Sequence, residues 1–127
     1  MITGARFTTL YVRDQQQALD FWTQKVGFEL LTDAPYDNEG AARWIEVKAP
    51  KSDVYFVLYK ADEEHAGLEG TAGHVWFQCD DLDATFKDLT SKGVSFPQEP
   101  QEAPWAPGTR WAQFADPDGN LYGVSDS

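Results

Sequence analysis

The chain has 127 residues, of which 42% are hydrophobic, and its 10 basic and 21 acidic side chains give a net charge of −11. That balance excludes nucleic acid, whose binding is dominated by cations on phosphate, and anionic membrane surfaces. No run approaches the roughly 20 apolar residues that span a bilayer, no leader peptide is visible, and the single cysteine, Cys79, excludes an internal disulfide; one compact domain in a reducing, cytoplasmic setting is expected.

Residues 6–12 alternate, with Phe7, Thr9 and Tyr11 on one face and Thr8, Leu10 and Val12 on the other, the period of a strand. Asp14 offers a helix cap, with Gln17 three residues on. Ala18, Phe21, Trp22 and Val26 then recur at helical spacing, and Gly27 supplies a left-handed stop. Phe28 to Leu31 reads as a strand, residues 33–41 as a surface loop, Arg43 to Lys48 as a strand, and Val54 to Tyr59 as a strand after a turn at residues 49–53. The polar stretch 61–73, carrying His65 beside Glu63 and Glu64, reads as a linker and a solvated turn.

The order then repeats. His74 to Cys79 forms a strand, and Asp81 precedes a helix with Leu82, Phe86 and Leu89 on one stripe and Gly93 as its stop. A strand at 94–96, a proline-rich loop at 97–108, a strand at 109–115, the turn Asp116-Pro117-Asp118-Gly119-Asn120 and a strand at 121–124 follow. An offset of 67 lays residues 73–81 over 6–14, Arg110-Trp111 over Arg43-Trp44, and Leu121-Tyr122 over Val54-Tyr55. The expected architecture is α+β: two tandem βαβββ modules, about 5–60 and 74–126, forming a curved mixed sheet with helices on the outer face and a concave open face as the default ligand site.

The repeat, Val12-Arg13-Asp14, Val26-Gly27-Phe28, the His74 strand start and Phe114-Ala115-Asp116-Pro117-Asp118-Gly119-Asn120 together resemble the vicinal oxygen chelate superfamily of glyoxalases, extradiol dioxygenases and bleomycin resistance proteins. The resemblance implies a divalent metal held by one side chain from each of four strands. Carried over, those positions are Phe7, His74, Gly123 and Phe56, or Val57 if the register differs by one. Phenylalanine, valine and glycine have no lone pair to give a cation, and a lone imidazole cannot build a catalytic coordination sphere. The resemblance therefore implies the fold without a metal or other cofactor.

By alternation the open face carries Phe7, Thr9, Tyr11, Trp44, Glu46, Phe56, Leu58, His74, Trp76, Gln78, Trp111, Gln113 and Leu121, with Trp105 folding over it from the proline-rich loop. Such an aromatic lining suits a flat ligand stacked between rings. Glu46 beside Trp44 would favour a cation by charge and by cation–π attraction; the alternative use of these rings is packing in a homodimer. Cys79 alternates to the helix side, where a buried, inert thiol is expected. The expected function is sequestration of a small aromatic compound, in the manner of the bleomycin resistance proteins, by a homodimer. The alternative is a lyase, isomerase or oxygenase that uses His74, with or without a metal site displaced onto groups such as Glu46.

Overall fold

A computed structural model describes residues 1–35, 42–61, 67–70 and 75–126. His74, His65 and the loop centre at 36–41 lie outside the described residues. The chain divides into two compact units, Met1–Glu69 and Gly70–Ser127. Each holds one four-stranded mixed sheet and one helical segment, the two tandem modules of an α+β fold.

The first unit runs β1 (Phe7–Val12), α1 (Gln15–Asp20), β2 (Glu29–Pro35), β3 (Arg43–Lys48) and β4 (Tyr55–Lys60). Its sheet order is β1-β4-β3-β2, with β1 parallel to β4 and the other pairs antiparallel. Asp14 caps α1 by accepting the Gln17 N–H at 2.9 Å. The expected helix does not run regularly to Gly27. After Asp20 it widens into a π-helical turn, Phe21–Lys25, in which the Val26 N–H reaches back five residues to the Phe21 carbonyl. Both bulky rings at the start of that turn, Phe21 and Trp22, are buried. Trp22 packs against Phe28 and Phe56, with centroids 5.0 and 5.9 Å away. Gly27, at φ +89°, then reverses the chain.

The second unit runs β5 (Trp76–Gln78), α2 (Leu82–Ser91), β6 (Ser95–Glu102), β7 (Arg110–Ala115) and β8 (Leu121–Ser125), in sheet order β5-β8-β7-β6. Asp81 caps α2 through the Ala84 N–H at 3.0 Å. Two expected loops contain strand. β2 continues through Asp33 to Pro35, and β6 runs through Pro97 and Pro100 to Glu102. A proline has no N–H for the ladder, so it survives only on an edge or at a bulge. β6 is an edge strand, and its register breaks between Ser95 and Gln98 and again between Gln98 and Gln101.

The two modules repeat their polar fastenings as well as their strands. Arg43 donates to both oxygens of Asp33, at 3.0 and 2.6 Å, and to Gln16 at 3.0 Å. Arg110 makes a bidentate pair with Asp83, at 2.8 and 3.1 Å, and Asp83 stands 67 residues after Gln16. The last strand breaks the pattern. Glu46 faces Val57, while Gln113 faces Gly123, so between β4 and β8 the offset falls to 66. The turn before β8 is therefore one residue shorter than its counterpart, and Leu121-Tyr122 superposes on Tyr55-Phe56, not on Val54-Tyr55.

Candidate functional site: the aromatic sheet faces

That one-residue difference changes which side chains of β4 face away from the helix. Phe7 pairs with Tyr55, Thr9 with Val57 and Tyr11 with Tyr59. The Phe7 ring stacks on Tyr55 at 5.3 Å and meets Trp44 edge-on at 6.1 Å; Tyr59 meets Tyr11 and Trp44 edge-on at 6.0 and 6.5 Å. Phe56 and Leu58, expected on this face, belong to the core. Phe56 is buried against Trp22 and Phe28 beneath the helical segment, and Leu58 is fully buried. The first unit's face away from the helix therefore carries Phe7, Thr9, Tyr11, Trp44, Glu46, Tyr55 and Tyr59, with Val57 fully buried beneath them, joined by Thr32 from the unexpected part of β2.

Glu46 is the polar centre of that face. One carboxylate oxygen accepts the Thr32 hydroxyl at 2.6 Å and the other accepts the Trp44 indole N–H at 3.0 Å. The Thr32 bond is the main cause holding the Glu46 carboxyl below the ordinary glutamate range; burial opposes it, and hydrogen bonds from Trp44 and Tyr55 add to the lowering. Glu46 is thus an anion at neutral pH, fixed against an indole, the arrangement that attracts a cation. Because its folded pKa is depressed, its stabilising contribution is fully present above its unfolded value of about 4.3 and is lost as pH falls through the folded value. Glu46→Gln is expected to lower stability at pH 7, and the gap to the wild type is expected to narrow below about pH 4. Urea unfolding at pH 3 and pH 7 checks this; a gap independent of pH contradicts it.

The second unit's open face is built around three tryptophans. Trp76 stacks on Trp111 with centroids 5.6 Å apart and planes 27° apart, and the Trp76 N–H donates to the Ser125 hydroxyl at 2.8 Å. Trp105 folds onto the pair from the turn between β6 and β7, with centroids 6.2 Å from Trp76 and 5.4 Å from Trp111. Trp76 is 51% exposed and Trp105 62% exposed. Large rings left in water in contact with one another are unusual for a surface with no task. Gly123 is what lets Trp76 lie flat. The two are ladder partners, and a Cβ at 123 would sit 2.5–2.8 Å from three atoms of the indole. Gln113, opposite Gly123 and one step from Trp111, completes the face beside Gln98 of β6.

Sequence reasoning missed Thr32, Tyr55, Val57, Tyr59, Ser125 and Gln98 as part of these faces. Thr32 lies one residue past the expected end of its strand, Gln98 lies in strand expected as loop, and Tyr55, Val57 and Tyr59 differ by the one-residue register. Cys79, expected to be fully buried, is half-buried; its Sγ lies 3.4 Å from the Ser125 carbonyl, and burial pushes its pKa up, away from thiolate chemistry. On the helix side of the second unit, a shallow depression between α2 and strands β6 and β7 is lined by Asp83, Phe86, Lys87, Glu99, Pro100 and Arg110, and the Asp83–Arg110 pair bridges it.

A profile of the Glyoxalase/Bleomycin resistance protein/Dioxygenase superfamily matches residues 5–124. The chain belongs to that superfamily. It is similar to the uncharacterized protein YetH of Bacillus subtilis, 37% identical over 123 residues that cover 96% of this chain and 97% of the relative. Among solved structures it is similar to TnmS3, an antibiotic binding protein from Streptomyces sp. CB03234, at 33% identity and TM-score 0.83, covering 98% of this chain and 96% of that one. A superfamily member from Sphaerobacter thermophilus shares 31% identity at TM-score 0.88, covering 100% and 99% of the two chains. Three of the four positions that would hold the superfamily's metal, Phe7, Val57 (in place of the expected Phe56) and Gly123, offer no donor atom, so the described residues do not fit it; the fourth, His74, lies outside the described residues. Among the described residues no group of three or more His, Cys, Asp or Glu side chains could hold a metal ion.

Proposed function

We propose that this glyoxalase-superfamily chain is a small-molecule binding protein that sequesters an aromatic compound without a metal. The observation that carries the reading is the Trp76–Trp105–Trp111 cluster: three tryptophans in mutual ring contact on one open sheet face, two of them more than half exposed. Aromatic faces of this size bind flat ligands by dispersion and quadrupole contacts, with little entropy lost on the protein side. The likeness to an antibiotic binding protein supports the same reading. Thr9, Trp44, Glu46 and Phe7 on the first unit's face supply a second aromatic surface with a fixed anion, and the charge of −11 draws cationic aromatics toward the chain. His74 and Gln113 belong to the proposed ligand contacts. The sole cysteine suits a reducing cytoplasm, and no described helix is long and apolar enough to cross a membrane. A homodimer is proposed as the working assembly, since exposed tryptophans are also what interfaces are enriched in.

Calorimetric titration with a panel of cationic aromatic antibiotics tests the reading. At least one is expected to bind, and Trp76→Ala and Trp105→Ala are each expected to weaken it by about tenfold or more, the scale of losing one large stacked ring. Binding to none of the panel, or affinities unmoved by both substitutions, contradicts it.

A further inference from the structure

The two modules treat an equivalent tryptophan differently. Trp44 and Trp111 hold the same place in their repeats. The Trp44 N–H is taken by Glu46 at 3.0 Å. At the position equivalent to Glu46 the second module has Gln113, and the Trp111 N–H is buried with no acceptor among the described residues. Trp76, its stacked neighbour, has its own N–H satisfied by Ser125. An unmet buried donor is destabilising, and native proteins leave few of them. Here the group sits in the middle of the exposed tryptophan cluster, at the surface the proposed function uses.

We propose that the Trp111 N–H is a ligand-reading donor, and that the ligand is a flat aromatic carrying an acceptor oxygen, such as a ring carbonyl, at its edge. The inference rests on the binding function proposed above and specifies its ligand. An indole N–H points within its own ring plane, so the acceptor must approach Trp111 edge-on. The ligand ring therefore lies against a ring inclined to Trp111. Trp105 is that ring: its plane is 53° from Trp111 and it is 62% exposed. Trp105 is carried on the turn between Ala103 and Thr109, which is closed by three backbone bonds of 2.8–3.2 Å and holds the ring against Trp111. In the proposed complex the ligand's oxygen reaches the donor while its ring lies on Trp105. A site built around an otherwise unmet donor discriminates strongly against the analogue that lacks the acceptor.

Equilibrium dialysis with fluorenone and fluorene, a matched pair differing by one ketone oxygen, tests this. The wild type is expected to bind fluorenone about tenfold more tightly than fluorene, the scale of one hydrogen bond to a buried donor. Trp111→Phe, which keeps a ring but removes the N–H, is expected to bring the ratio to about one. Gln113→Glu, which replaces an amide whose oxygen does not engage Trp111 by a carboxylate that can only accept, as Glu46 does for Trp44, is expected to do the same by a different route. Equal binding of the pair by the wild type overturns the donor role while leaving stacking intact. A ratio unchanged in Trp111→Phe also overturns it. Binding of neither compound overturns the donor role and counts against the aromatic site itself.

Discussion

Asp116→Ala is expected to be the most destabilising single substitution on the second unit, by about 3–5 kcal/mol, because it strips acceptors from several buried donors at once. One oxygen of Asp116 accepts the backbone N–H of Asp118 and of Asn120, at 2.9 and 3.0 Å. The other accepts the Asn120 amide at 2.8 Å and the Tyr122 hydroxyl at 2.7 Å. Asn120 and Tyr122 are fully buried, and Asp116 is 7% exposed, so water cannot replace what is lost. Burial, foremost, and the neighbouring carboxylate push the Tyr122 pKa far above its ordinary value, so its hydroxyl stays protonated and donating throughout the physiological range. Asp116→Asn keeps the shape and one acceptor, and is expected to cost about half as much. The equivalent position in the first module is Ala49, so no such fastening exists there. Urea unfolding followed by tyrosine and tryptophan fluorescence measures both variants. Equal stability of Asp116→Ala and the wild type contradicts the account of this turn.

Gln15→Leu is expected to cost about 2–4 kcal/mol in the first unit, although it replaces a polar core residue by an apolar one. The Gln15 amide donates to the Arg43 carbonyl at 2.6 Å and the Leu58 carbonyl at 2.9 Å, and accepts the Arg43 N–H at 3.1 Å. It ties α1 to β3 and β4 together. The second module has Leu82 at the same place, buried at 1% exposure. Leucine is thus compatible with the position in general; the expected loss at Gln15 comes from the three backbone groups left unmet. If Gln15→Leu is neutral or stabilising in thermal unfolding, the amide is not the fastening described.

Much of the architecture was legible because duplication doubles every signal. Asp14 and Asp81 as caps, Gly27 and Gly93 as stops, and all eight strands, β2 and β6 shorter than observed, follow from local chemistry that the chain states twice. What escaped was set by pairing partners, not by local pattern. A strand's side-chain period is two, so one residue of turn length moves a whole set to the opposite face. The turn at 49–54, one residue longer than that at 116–120, did this, placing Phe56 and Leu58 on the helix side and Tyr55, Val57 and Tyr59 on the opposite face. Prolines 97 and 100 hid the continuation of β6 beyond Phe96, because their tolerance depends on its being an edge strand with bulges. The π-helical turn at Phe21–Lys25 was invisible for a related reason: it is selected by the fit of Phe21 and Trp22 beneath the sheet, not by helix propensity. The tryptophan cluster was half legible. Alternation placed Trp76 and Trp111, but the role of Gly123 as the flat seat of an indole requires coordinates.

The central claim is binding by aromatic faces without a metal, and calorimetry on one ligand with and without chelation tests it most directly. The measurement takes an aromatic antibiotic that the wild type binds and repeats the titration after exhaustive treatment with a chelator. The affinity is expected to be unchanged. Binding that disappears on chelation and returns with an added divalent ion would contradict the account, and would mean that the donors missing at Phe7, Val57 and Gly123 are supplied by other side chains.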